Sequence, residues 1–471
     1  MFVGRERELA AMEKLYAKDK FQFVALYGRR RVGKTTLITK FIEGKPAIFY
    51  TAREANDKIN LAELSRQIYR FFAIPEVTGP FQSWDDAFSF LADQARRQRF
   101  ILAFDEFPYA ANENRALRSI LQNAIDHRMK DTGLFLILCG SQISFMENEV
   151  LGYKSPLFGR RTARIKMEGL DYYDAASMLT GFTREEQIQF YGCVGGTPHY
   201  LAQADPDESF AENIRRLYFD ISGYLYNEPT MLIQQELREP SMYNSIISAI
   251  AAGATRVSDI ANRIGEDNSK VSKYLKTLIE LRVVAREYPF GEDPETSRRS
   301  IYKLADNCYL FWYRFVFPAQ AEIESGNGGI IASRLLSGER LPAFLGKPAF
   351  EEICLQFLRR LSRAGRLPFA GTSFGSWWGN DPREKRQNDI DVIMADRETR
   401  QILLGECKWQ NEPPSGAAIE GLLGKDYLLP RYQRFYHCFF SKAPFGPAAR
   451  RLRKDSGVLL FDLADLFLAG L

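Results

Sequence analysis

Gly28-Arg29-Arg30-Arg31-Val32-Gly33-Lys34-Thr35 sets two glycines, a lysine and a hydroxyl at the spacing that polyphosphate binding requires. The octet follows the apolar run 21–27 and precedes the helix-like run 37–42. The glycines permit a turn in which the backbone from Gly28 to Lys34, then Thr35 and Thr36, faces phosphate oxygens, and the positive end of the following helix adds to the attraction. Lys34 is placed to bridge the outer phosphates, and Thr35 to hold Mg²⁺. A nucleoside polyphosphate with Mg²⁺ is the expected ligand.

A second apolar run, 99–105, ends in Asp105-Glu106. Beside a phosphate-binding loop, the first acid is suited to hold Mg²⁺ through water and the second to polarise the attacking water. The run 133–140 leads into Ser141-Gln142, at the carboxyl end of a buried strand where ligands of open α/β sheets collect. Ser141 or Gln142 would sense the γ-phosphate or orient the water. Arg160-Arg161 precedes a further strand-like run. An arginine there, Arg160 first, would stabilise charge on the transferring phosphoryl group within its own subunit or a neighbour's. On spacing alone, a surface arginine pair is an equal reading.

A second constellation lies near the other end. Asp389-Ile390-Asp391-Val392-Ile393 and Gly405-Glu406-Cys407-Lys408 read as two strands joined by the polar turn 396–400. Side chains alternate along a strand, so Glu406 and Lys408 share a face. With Asp391 from the neighbouring strand, two carboxylates and an ammonium meet. That set suits a divalent cation, Mg²⁺ or Mn²⁺, held by Asp391 and Glu406, with Lys408 positioning or deprotonating water and stabilising a pentavalent phosphate. Upstream, Glu351 and Glu352 open an amphipathic helix.

The elements that must carry these residues follow from pattern. A chain of 471 residues exceeds what one core usually supports, so three or so units are expected. Runs 21–27, 46–51, 99–105, 133–140 and 163–167 alternate with helical stretches, which predicts a mainly parallel sheet flanked by helices over 1–169. Residues 170–238 read as a helical lid. Residues 239–305 read as a winged helix with helices over 243–252, 257–264 and 268–281 and a hairpin formed by 283–285 and 301–304. Its third helix presents Asn268, Ser269, Lys270, Ser272 and Lys273 at the end that enters a major groove, and Arg298 and Arg299 on the wing would meet phosphates. Packing without DNA contact is the other reading of such a module. A helical linker over 306–344 leads to a second α/β domain over 345–471.

Bulk properties exclude some classes. With 63 basic and 59 acidic residues the net charge is only +4, so nucleic-acid binding must come from local sites rather than a global field. Six scattered cysteines without a C-x-x-C pair, and three histidines, argue against a disulfide framework or a zinc site and for a reducing compartment. The start is charged and no apolar run approaches the ~20 residues of a membrane span, so a soluble cytoplasmic protein is expected, with no membrane partner.

FVGRERELAAM, GRRRVGKTTLI, LAFDEFPYA, ILCGSQISFME, SPLFGRRTARI and YGCVGGTPHYL together resemble the archaeal-type ATPase family within the AAA-like and signalling P-loop ATPases. The resemblance covers essentially the whole chain. It implies ATP hydrolysis, places Gly4-Arg5 near the adenine, and makes Gly195-Gly196-Thr197-Pro198 the link from core to lid. It also implies a C-terminal domain resembling restriction-type nucleases. The D…E-x-K set resembles that superfamily's core, and Glu351 matches a helix acid that some members add as a metal ligand. Asp389 rivals Asp391, and Glu352 rivals Glu351. Asp391 is preferred because in that family the acid precedes the apolar pair, here Val392-Ile393. The expectation is an ATPase that interacts with DNA through its winged helix and a metal-dependent nuclease domain, with a homo-oligomer suggested by Arg160. The main alternative is a regulatory or signalling ATPase whose C-terminal domain binds nucleic acid or protein without cutting. A helicase-like or chaperone-like motor is a third class, weakened by the lack of a second motor domain or helicase motif set.

Overall fold

The computed structural model describes residues 2–75, 79–237 and 239–468; the expected domain limits at 1, 238 and 471 lie outside them. The chain forms two compact units, Met1–Leu170 with Thr197–His199, and Asp171–Gly196 with Tyr200–Leu471.

In the first unit, strands β1 (Gln22–Gly28), β2 (Ala47–Thr51), β3 (Ile101–Asp105), β4 (Phe135–Gly140) and β5 (Ala163–Met167) form one sheet in the order β2-β3-β4-β1-β5. Every pairing is parallel. Central strands β1, β3 and β4 are buried at every position, as a sheet covered on both faces demands. Alternate residues therefore feed two cores: Tyr27, Phe104 and Leu138 one, Leu26, Ala103 and Ile137 the other. Helices α1 (Lys34–Ile42) and α2 (Phe107–Glu113) leave the carboxyl ends of β1 and β3. The chain turns into α1 at Gly33, whose φ of 93° favours glycine. Gly28 answers a different need, because a Cβ there would lie 2.2 Å from the Met167 carbonyl oxygen on β5.

The second unit begins with helices closed by capping boxes at Thr183/Glu186 and Ser209/Glu212. Then α3 (Pro240–Ala251), α4 (Val257–Ile264) and α5 (Asn268–Glu280) precede the antiparallel pair β6 (Val284–Glu287) and β7 (Ile301–Leu304). Helix α5 buries Val271, Leu275 and Leu278, spaced to share one face, and leaves its polar residues outside. After α6 (Arg340–Phe344) and α7 (Glu351–Arg363), the strands β8 (Ser373–Asn380), β9 (Gln387–Asp396), β10 (Gln401–Lys408), β11 (Arg434–Ser441) and β12 (Leu459–Phe461) form a mixed sheet in the order β12-β11-β10-β9-β8. Strand β9 is antiparallel to β8 and β10, whereas β10, β11 and β12 run parallel. Helix α8 (Gly416–Leu423) buries Ile419 and Leu422 beneath it.

Candidate functional site

At the end of β1 the Lys34 ammonium donates to the carbonyls of Gly28 and Arg29, both at 2.9 Å, and so sits inside the loop that it closes. Burial pulls its pKa below the usual lysine value, opposed by Cys139, Glu106 and Asp105. Thr35 Oγ1 donates to Asp105 Oδ2 at 3.0 Å, although β4 separates β1 from the acid-bearing β3. A hydroxyl and a carboxylate side by side are oxygen ligands of the kind a small hard cation takes. Glu106 stands at the left-handed N-cap of α2 (φ 49°), and its Oε2 accepts from Ser141 Oγ at 2.8 Å and from Ser141 N at 3.2 Å. Ser141 therefore fixes the carboxylate, and Asn112 Nδ2 contacts Gln142 Oε1 at 3.5 Å beside it. Arg30 binds the Tyr109 hydroxyl.

Two residues serve the fold in ways that the sequence reading did not anticipate. Buried Arg5 donates to the carbonyls of Val32 at 3.1 Å and Glu168 at 2.6 Å, so it clamps the back of the phosphate-binding loop, while Gly4 takes a φ of 66°. Arg160 forks onto Asp126 with Nε and Nη2 at 2.8 and 2.6 Å and binds the Pro156 carbonyl. Its hydrogen bonds hold the Asp126 carboxyl below its ordinary range. Within its own subunit the guanidinium is thus committed to Asp126, and reaching a phosphoryl group would break that fork.

The second constellation is assembled on α7, β9 and β10. Asp391 is buried and accepts from the Cys407 N–H at 2.9 Å. Burial and then the charge of Asp391 push the Glu351 carboxyl up to about 7, and burial and then Glu406 raise Asp391. Glu352 instead pairs with Arg359 at 3.6 Å, so the helix acid beside Asp391 is Glu351. The Glu406 carboxylate is held by Lys408 at 2.7 Å and Lys425 at 3.2 Å. Burial works against the charge of Lys408, but the hydrogen bond and charge of Glu406 outweigh it and raise its pKa. An ammonium so stabilised suits charge stabilisation rather than proton abstraction. Lys347 Nζ lies 3.0 Å from Glu351 Oε1, 2.9 Å from Asp389 Oδ2 and 3.7 Å from Asp391 Oδ1. Among the described residues, no three or more acids, histidines or cysteines are grouped so as to hold a metal ion. In the expected set, Glu351 and Asp391 touch one another and share Lys347, whereas Glu406 is taken by Lys408 and Lys425.

Residues 2–204 match a family described as an ATPase domain predominantly from Archaea. An uncharacterised protein of Methanocaldococcus jannaschii is 31% identical over 473 residues, covering 99% of this chain and 100% of that one. The chain belongs to this archaeal-type ATPase family. An uncharacterised ATP-binding protein of the same organism is 53% identical over 45 residues, 10% of this chain and 76% of that one. A Walker-type ATPase of Pyrococcus abyssi shares the fold, with a TM-score of 0.53, 21% identity, and coverage of 66% of this chain and 96% of that one. Residues 245–287 match an IclR helix-turn-helix domain, and residues 312–419 match archaeal and bacterial proteins of unknown function.

In this ATPase the helix-turn-helix exposes Asn268, Ser269, Lys270, Ser272 and Lys273 at the start of α5, with Lys270 paired to Glu266 at 2.8 Å. On the wing Arg298 is exposed, but Arg299 is ion-paired to Glu292. The wing loop is anchored: Phe290 N donates to Ser376 O on β8 at 2.8 Å, and the Phe290 ring belongs to the same core as Trp377 and Ile390. Lys347 and Lys425 were missed by sequence reasoning. Among the described residues no helix is long and apolar enough to cross a membrane.

Proposed function

We propose that this ATPase hydrolyses ATP with Glu106 as the base and Ser141 as its positioning residue, and that it acts on DNA through α5 and the acid–lysine centre of the C-terminal sheet. The observation carrying the first part is the paired arrangement of Thr35 on Asp105 and Ser141 on Glu106 at adjoining strand ends. Mg²⁺, when bound, would neutralise phosphate charge, and Thr35 and Asp105 are the residues that would hold it. Lys34 supplies a fixed ammonium to the outer phosphates. Glu106, fixed by Ser141, accepts the proton of the attacking water.

For the C-terminal centre, metal-dependent phosphodiester cleavage is supported by the adjacency of Glu351, Asp391, Glu406 and Lys408 on α7, β9 and β10. Asp391 and Glu351 would hold the cation, and Lys408 would stabilise charge on the phosphate. The regulatory reading, binding without cutting, is favoured by one observation: Lys347 sits among the acids where a cation would bind. One experiment separates them. Cleavage of linear, branched and single-stranded DNA is measured with Mg²⁺ or Mn²⁺, with and without ATP, for wild type, Lys34→Ala, Asp391→Ala and Lys408→Ala. Cutting lost in the last two variants supports the nuclease. DNA-stimulated ATP turnover without cutting supports the regulatory reading, and turnover unchanged in Lys34→Ala sinks the ATP-site assignment.

A further inference from the structure

A cavity of about 500 Å³ opens in the second unit between α3, the end of α4, the segment 313–318 and the start of α6. Ser245, Ser248, Ala249 and Ala252 reach it from one face of α3, at the spacing of two helical turns. Its volume falls in the range of small-molecule sites. Three arginines line it, Arg263, Arg314 and Arg340, and no acidic residue does.

The charges of this cavity are not balanced from within. Arg263 Nη1 reaches the Ala252 carbonyl at 3.4 Å. Arg314 and Arg340 instead rest on shared rings: both guanidiniums lie over Phe315, at 5.8 and 5.3 Å from its centroid, and Arg314 also lies over Phe344 at 5.8 Å. Among the described residues neither has a carboxylate partner. Crowding by protein atoms and then repulsion from Arg340 lower the pKa of Arg314. Two like charges are therefore held against one shared aromatic ring.

We infer that this cavity binds a small phosphate ester, its phosphoryl oxygens taken by Arg314 and Arg340 and its apolar or planar body lying against Ala249, Phe317 and Pro318. Guanidinium forks match phosphate oxygens, and two of them suit a dianion better than a single carboxylate. The site belongs to the second unit, the phosphate-binding loop to the first, and the proposal stands independently of the nuclease reading.

The test uses the full chain saturated with ADP, so that the ATP site is filled, and titrates phenyl phosphate and inorganic pyrophosphate by calorimetry. Saturable one-site binding of phenyl phosphate is expected, weakened at least tenfold in Arg314→Gln and in Arg340→Gln and unchanged in the control Arg97→Gln. Because each variant removes a like-charge neighbour, its thermal midpoint is expected to stay level or rise, which separates a lost ligand from a lost fold. No saturable binding in the millimolar range, or binding indifferent to both substitutions, overturns the proposal. So does a loss confined to duplex DNA binding, which would make these arginines backbone contacts of the helix-turn-helix.

Discussion

Ser141→Ala is the substitution whose effect is most sharply set by the ATP site. The side chain supplies one of the two hydrogen bonds that orient Glu106, Oγ at 2.8 Å, while the backbone N–H at 3.2 Å survives the change. A hydrogen bond to a charged group is worth about 1.5–3 kcal/mol, and each 1.36 kcal/mol is tenfold in rate. With half the cradle retained, the lower end applies, and kcat for ATP should fall roughly tenfold. KM should hardly move, because the lost contact touches the base and not the phosphates. Glu106→Gln should cost roughly 10²–10⁴ in kcat, the range expected for removal of a general base. Ser141→Ala in the Glu106→Gln background should add almost nothing, since its benefit passes through the carboxylate. Steady-state turnover of the four proteins, with ATP affinity measured separately, decides the matter. A raised KM with unchanged kcat would make Ser141 a phosphate sensor, and additive losses in the double variant would refute positioning altogether.

Three further outcomes are expected. Gly28→Ala should lower the thermal midpoint of the first unit by several degrees, because its Cβ would meet the Met167 carbonyl at 2.2 Å and overpacking costs about 1–3 kcal/mol; an unchanged melt would contradict the close β1–β5 approach. Lys347→Met should raise Mn²⁺ affinity measured by calorimetry about 3- to 160-fold, since three part-exposed ion pairs at about 0.2–1 kcal/mol each no longer compete; unchanged affinity would mean that Glu351 and Asp391 do not hold the metal. The same binding should strengthen from pH 6 to pH 8, because Glu351, pushed up to about 7, keeps its proton below that value and offers a carboxylate only above it; a flat profile would remove Glu351 from the site.

The placement of the candidate ATP-site residues was legible because they are contiguous and sit at strand ends. A buried run followed at once by GRRRVGKT, DE or GSQ fixes both the element and the position of the side chain at its carboxyl edge. Arg160 was less legible, since its partner Asp126 is 34 residues away and nothing local distinguishes an arginine awaiting phosphate from one already forked on a carboxylate. In the C-terminal sheet the β9–β10 hairpin could be read from its apolar strands and polar turn. Strand β8 (Ser373–Asn380) could not: it is half-exposed for most of its length and contains two glycines, so it lacks the apolar run that announces a strand. Lys347 escaped because the backbone there is extended, φ −142° and ψ 119°, and its four-residue spacing from Glu351 is not a helical one. Only the folded sheet brings it beside Asp389 and Asp391.

The wing shows most directly how fold and function separate in this ATPase. The helix-turn-helix pattern treats the loop after β6 as a phosphate-contacting arm, yet Phe290 in that loop is a core residue of the C-terminal sheet and its N–H extends the edge of β8. Arg299, expected on phosphate, is instead ion-paired to Glu292 within the wing. Moving the wing toward DNA would pull an aromatic side chain out of a packed core, a cost of about 3–5 kcal/mol if Phe→Ala substitutions are a guide. On the proposed reading, DNA recognition by this domain would then fall on the exposed start of α5, with the wing acting as a strut. A strut has a consequence for the proposed reading: the wing is packed into the core of the sheet that carries Asp391, Glu406 and Lys408, so DNA held at α5 would stand at a fixed spacing from that centre.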